Sequence, residues 1–327
     1  MRIAVSRDQI EAARARARRV ARRTAAIGYR SIVVPLLGHD ETEHALDLAC
    51  RLAARRGAKV LLVAPVVAPY ALPLNAHFEP ETADLRERLR RAEAIAEAHG
   101  VGTKTRVVCT RASGLGRELA EVAEDHRAEL VVVGAPVQSR SGFRQAYPGE
   151  IHSILRDASC RVMVVSGRVT HRVGEDEPAL RRILVPVKLG PIGREVAATA
   201  MKLAEDAGAD VYALHVIRVP LDHQIEARLP TQEEQAAASI AEAVRLGERS
   251  GVQVVGETVH ARSIGEAIVR ASADSEADLI VLGSSPRWRR GTRLLSPSVE
   301  YVLRRAQEEV LVIKFPRSAL PSSAALR

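Results

Sequence analysis

The sequence predicts an α/β protein made of two tandem five-stranded parallel sheets, each doubly wound by helices. Two observations carry this reading. The first is a repeat: the same run of elements extends from Ser31 to Ser166 and again from Arg182 to Phe315. Pro35 matches Pro186, Gly57 matches Gly208 and Gly100 matches Gly251, all at a spacing of 151 residues. Gly116 and Gly134 match Gly265 and Gly283 at a spacing of 149. The structural unit is therefore a domain of ordinary size, about 130–150 residues. The second observation is that runs such as LVVVG and LIVLG carry no polar alternation, the mark of strands covered on both faces.

In copy one, strands are predicted near 31–37, 59–67, 104–110, 129–134 and 161–166. Helices are predicted between them, near 41–56, 81–99, 114–126 and 150–157. Over 41–56, Ala45, Leu48, Ala49 and Leu52 form one apolar stripe against Glu41, Glu43, Asp47, Arg51 and Arg55. Copy two repeats the order, with strands near 182–188, 210–219, 253–260, 278–283 and 309–315. The last strand of each copy is apolar and would otherwise leave an open sheet edge, so the two are expected to pair and make an intramolecular pseudo-dimer. The chain then divides into a basic helical arm (1–30), a first domain (31–168), a polar linker (169–181), a second domain (182–316) and a flexible tail (317–327).

A chain of 327 residues, 46% of them hydrophobic, can bury two ordinary cores, one per domain. Aromatic residues are only 3%, so the cores must be built from Val, Leu, Ile and Ala. Cys50, Cys109 and Cys160 fall in predicted core elements without metal-type spacing and read as small buried hydrophobes of a reducing cytoplasm. No uncharged apolar stretch reaches about 18 residues, and no signal-peptide pattern is present. A cytoplasmic location is expected, with peripheral membrane association left open. The formal charge of +8 is concentrated: residues 1–30 hold nine arginines against Asp8 and Glu11, a net +7, which leaves +1 for the rest. A specific nucleic-acid groove is therefore not expected. Arg14, Arg18 and Arg22 form a basic stripe on the arm, which suits either a solvated helix or a segment held at anionic lipid.

The ILVPV opening, the ADLIVLG strand and the closing SVEYVLRRAQEEVLVI, duplicated in order, make the chain resemble a tandem universal stress protein from Tyr29 to Pro316. The resemblance implies a five-stranded domain of the adenine nucleotide hydrolase-like, Rossmann-like type, often paired through its last strand, so a homodimer is a further expectation. It also implies a stress-linked, regulatory and generally non-catalytic role in a bacterium. The basic helix running into YRSIVVPLLG is similar to the cytosolic tail of some bacterial amino-acid/cation permeases. That similarity makes a membrane permease the alternative partner.

Ligands of such sheets sit beyond the carboxyl ends of the strands, at the switch point between the first and the fourth. The nucleotide-binding branch of the family carries glycines after strand four at a Gly-x2-Gly-x9-Gly-Ser/Thr spacing, and an acid after strand one. Glycine lets backbone donors approach phosphate at a helix start. Copy one keeps Gly134 but has Val137, Pro148-Gly149 and Leu37 at the other positions; copy two keeps Gly283 but has Pro286, Ser296-Pro297 and Lys188. Proline brings no N–H. Both sites are thus expected to be degenerate and non-catalytic, with weak ATP hydrolysis as a second alternative.

Copy two retains a cationic constellation: Lys188, with Arg287, Arg289, Arg290 and Arg293 after strand four. With Gly283, Ser296 and Ser298 it forms the candidate site for an anionic ligand, ATP or another adenine nucleotide included. A solvated arginine loop accounts for the same residues. Ser296 followed by Pro297 is also a good helix start. Copy one is weaker here, with Arg140 and Arg144 spread along its loop. Trp288 can stack on a base or simply pack. No G-x-S-x-G, H-E-x-x-H or P-loop lysine signature occurs, and no metal is expected. His215 reads as a core or strand-end histidine, and His39-Asp40-Glu41 as an acidic helix start.

Overall fold

The structure, a computed structural model, describes residues 29–38, 41–54, 57–68, 79–136, 149–166, 180–285 and 294–316. The arm before Tyr29, the tail after Pro316 and the arginines Arg287, Arg289, Arg290 and Arg293 lie outside the described residues, as do Trp288, Arg140 and Arg144. Copy one runs β1 (Ser31–Pro35), α1 (Glu41–Ala54), β2 (Lys59–Val67), α2 (Glu79–Ala98), β3 (Thr103–Thr110), α3 (Leu115–Asp125), β4 (Leu130–Gly134), α4 (Gly149–Asp157) and β5 (Arg161–Ser166). Copy two runs β6 (Arg182–Pro186), α5 (Pro191–Ala207), β7 (Asp210–Arg218), α6 (Pro230–Ser250), β8 (Val254–Ala261), α7 (Ile264–Asp274), β9 (Leu279–Ser284), α8 (Pro297–Arg305) and β10 (Glu309–Lys314). The boundaries read from the sequence hold to within two residues. The first strand of each copy stops at its proline rather than running to Leu37 or Lys188.

The repeated glycines have structural duties in both copies. Gly57, Gly100, Gly208 and Gly251 all stand just behind a helix with φ between 57° and 68°, where a side chain would strain the turn. Gly116 and Gly265 make room between helices. A Cβ on Gly116 would come within 2.5 Å of the Ser153 carbonyl, and one on Gly265 within 2.7 Å of Tyr301 Cβ, so α3 lies close on α4 and α7 on α8.

The strands form one ten-stranded sheet in the order β3-β2-β1-β4-β5-β10-β9-β6-β7-β8. Pairing is parallel within each copy, and β5 and β10 meet antiparallel, with Val164 opposite Val312. The two sheets expected from the repeat are thus continuous, because each edge supplies the backbone donors and acceptors that the other lacks.

The expectation of one core per domain is corrected. Side-chain alternation sends Ile32, Val34, Leu130 and Val132 to the face covered by α1, α2, α5 and α6, and Val33, Val131 and Val133 to the face covered by α3, α4, α7 and α8. The copies share a sheet, so each face carries a core that runs across both.

Two side-chain links cross the seam at pseudo-equivalent places. His44 on α1 lies 2.6 Å from Glu309 at the start of β10. Glu195 on α5, its counterpart at the 151-residue spacing, takes Arg161 at the start of β5, with Arg161 Nη2 donating at 3.0 Å. Tyr29, only 6% exposed, donates its hydroxyl to Glu195 at 3.3 Å. Burial foremost, and the Glu195 charge after it, push the Tyr29 phenol well above its ordinary range.

Candidate functional site

The strand order makes a switch point between β1 and β4 in copy one and between β6 and β9 in copy two. In copy two, Ile183 pairs with Leu279 and Leu184 with Ile280, and the pairing of β6 with β9 stops there, before Lys188 and Ser284. Lys188 is exposed, two residues beyond β6. The turn after it passes through Gly190 at φ 105°, ψ 171°, a conformation suited to glycine alone, before Pro191 opens α5. A Cβ on Gly193 would stand 2.0 Å from the Lys188 carbonyl oxygen. The first turn of α5 therefore rests on the backbone from which the Lys188 side chain departs.

The retained glycines after strand four are packing positions. A Cβ on Gly283 would come within 2.6 Å of Val196 Cγ2, with Ile192 and Phe315 also in contact, so the bare backbone admits α5. A Cβ on Gly134 would fall 2.1 Å from the Glu41 carbonyl oxygen, at the start of α1. Ser296 caps α8, its hydroxyl accepting from Val299 N at 3.3 Å, and Pro297 takes the first helical position. Ser298 sits half-buried in that first turn. In the described part of the site, Lys188 follows β6 and Gly283 lies near the end of β9, the neighbouring strand, while Ser296 is engaged by its own helix.

Sequence reasoning missed Ser284. It closes β9, is fully buried, and its Oγ has no hydrogen-bond partner among the described residues. The only signal was its place directly after Gly283, where a serine reads as the first residue of a loop. Its counterpart in copy one is Ala135, buried and without a hydroxyl. Leu37, where the resemblance would put an acid, packs half-buried against the core of the α3–α4 face.

His215 is half-buried on β7, its Nδ1 2.6 Å from Ser239 Oγ on α6. Burial lowers its pKa below the ordinary value, partly offset by a hydrogen bond with the Val187 backbone. Its contact with Ser239 holds β7 to α6. Among the described residues, no group of three His, Cys, Asp or Glu side chains could hold a metal, and no helix is long and apolar enough to cross a membrane. A recess of about 910 Å³ flanks β7, β8 and α7, with Tyr212, Glu257 and Arg270 in its wall, away from both switch points.

The sequence model of the universal stress protein family matches this chain twice, over residues 28–166 and 179–314. A universal stress protein of Methanocaldococcus jannaschii is 26% identical over 147 residues, which is 43% of this chain and 86% of that protein. Among solved structures, a universal stress protein from Archaeoglobus fulgidus superposes with a TM-score of 0.62 at 14% identity, covering 88% of this chain and 97% of its own. A functionally unknown protein from Pseudomonas aeruginosa gives 0.56 at 17% identity, with 90% and 96% covered. At these identities the structures speak for the fold.

Proposed function

The chain belongs to the universal stress protein family in both of its copies, and on that premise we propose that it is a non-catalytic regulatory module that reads an anionic ligand at the switch point of copy two. One observation supports this reading above others: at the switch point, where the pairing of β6 with β9 stops after Leu184 and Ile280, Lys188 stands in the exposed turn after β6 and Ser284 Oγ at the end of β9 is buried without a hydrogen-bond partner among the described residues. A buried hydroxyl left unsatisfied costs about 1–3 kcal/mol, and an acceptor oxygen brought by a ligand removes that cost. Lysine in place of the acid repels a metal and favours phosphate or carboxylate. Lys188 and Ser284 supply charge and a donor, and among the described residues no base is hydrogen-bonded to the Ser284 hydroxyl. The assignment is therefore to binding rather than turnover.

The test is calorimetry of the full chain with ATP and with inorganic phosphate. The expected result is a single binding step, abolished by Lys188→Glu, weakened by Ser284→Ala and unchanged by Arg140→Glu in copy one. Copy one adds no step, because Leu37, Val137 and Pro148 stand at its ligand positions. Absence of binding by both probes, or binding that survives Lys188→Glu, would leave only a scaffold.

A second reading, a cytosolic regulator attached to or partnering a membrane permease, draws on Tyr29. That residue is buried at the seam against Glu195, so the net +7 of residues 1–30 is joined to the body at the seam.

A further inference from the structure

Copy one contains a recess of about 460 Å³ between α1 and α2, just beyond the end of β1. Two polar atoms of the residues that line it are buried without a hydrogen-bond partner among the described residues: Thr42 Oγ1, on a residue only 7% exposed, and Arg88 Nε. The rest of the Arg88 guanidinium is engaged. Its Nη2 lies 3.0 Å from Asp84 Oδ2, and its Nη1 donates to the Leu36 carbonyl at 3.3 Å. A guanidinium N–H can only donate and a threonine hydroxyl can donate as well, so each calls for an acceptor.

Copy two serves as an internal control. At the 151-residue spacing, Gly193 replaces Thr42 and Ser239 replaces Arg88. The Ser239 hydroxyl is satisfied, donating to the Ala236 carbonyl and lying 2.6 Å from His215. The two unsatisfied donors belong to copy one and are not imposed by the fold.

The lining narrows the chemistry of the occupant. Glu43 and Asp84, with side chains 54% and 71% exposed, add carboxylates to the same recess. Arg91, also in the lining, stands 3.8 Å from Glu43 and 3.1 Å from Glu87. Arginines and carboxylates balance here, so a polyanion would meet repulsion. Leu36, Leu46 and Ala92 add a buried apolar strip. We infer that this recess binds a small zwitterion of the α-amino-acid type. Its carboxylate accepts from Arg88 Nε and Thr42 Oγ1, its ammonium faces Glu43 and Asp84, and an aliphatic side chain lies along Leu36, Leu46 and Ala92. The site lacks the strand ends of copy two and is independent of the function proposed above.

The test titrates the full chain with L-valine, L-leucine and L-isoleucine, alongside 4-methylpentanoate, 3-methylbutylamine and inorganic phosphate. At least one amino acid is expected to bind, and the molecules lacking the ammonium or the carboxylate to bind about tenfold more weakly or not at all. Thr42→Val keeps the shape and removes the hydroxyl, and Arg88→Lys keeps the charge and removes the Nε donor. Each is expected to weaken amino-acid binding about tenfold. The Arg88 Nε–H resonance gives a second readout in the unmodified protein and is expected to shift on adding the amino acid. The inference is overturned if none of the three amino acids binds at millimolar concentration, if phosphate displaces them, or if binding ignores both variants and leaves that resonance unmoved.

Discussion

Raising the pH from about 5.5 to about 9 is expected to weaken one of the two pseudo-equivalent links across the seam, His44–Glu309, and spare the other, Arg161–Glu195. Burial by itself disfavours the charged form of His44. The hydrogen bond and charge of Glu309 outweigh it, with Asp47 helping and Arg51 opposing, so the His44 pKa lies above its ordinary 6.5. Asp47 is in turn held by Arg51 at 2.8 Å and by His99, in the turn after α2, at 2.7 Å. A folded-state pKa above the unfolded one means that the folded protein binds the proton more tightly. The stabilisation is therefore complete below the unfolded value and is lost as pH rises through the folded one. The side chains of His44 and Glu309 are 34% and 20% exposed, so solvent screening holds the pH-dependent part to about 1 kcal/mol, or about 2 °C in melting temperature. The assay compares urea midpoints of the wild type and His44→Gln across this range. The wild-type advantage should be largest at the acid end and shrink toward the alkaline end. Arg161→Gln, which breaks the equivalent Glu195 link, should cost the same at every pH because a guanidinium does not titrate there. A His44→Gln difference that is flat in pH, or that grows as pH rises, refutes the reasoning.

Two further outcomes follow from geometry and charge. Gly134→Ala drives a Cβ into the Glu41 backbone, whereas the one close clash of Gly283→Ala is with the end of Val196. Urea unfolding should show a loss of about 3 kcal/mol or more for the first and about 1–2 kcal/mol for the second; equal costs would contradict the packing role. Full-length protein should co-sediment with anionic vesicles at low salt and detach at high salt, and removal of residues 1–28 should abolish this. Equal sedimentation of both forms would reduce the arm to a solvated helix.

What could be read from the chain alone was everything encoded over short range. The continuous Val and Leu runs of β4 and β9 announced strands buried on both faces. The glycines at 57, 100, 208 and 251 announced helix ends, because a left-handed residue leaves its mark where it stands. Ser296 followed by Pro297 announced the start of α8. Local order and repeat spacing together were enough for the elements, their sequence and the parallel sheets.

Partners far apart in the chain were decided by tertiary structure. His44 meets Glu309 across 265 residues, a pairing that exists because β5 and β10 close each other's edges. That joining also turned the cores from one per copy into one per face. Gly134 and Gly283 looked like ligand positions in the sequence, since a glycine needed for phosphate and one needed for a helix are written alike. Only the positions of α1 and α5 showed which contact fills the space. Ser284 and the pair Thr42–Arg88 are ordinary polar residues in the sequence. Their unsatisfied donors appear once packing has removed water from around them, because desolvation depends on every neighbour brought in by the fold and on none of those next in the chain.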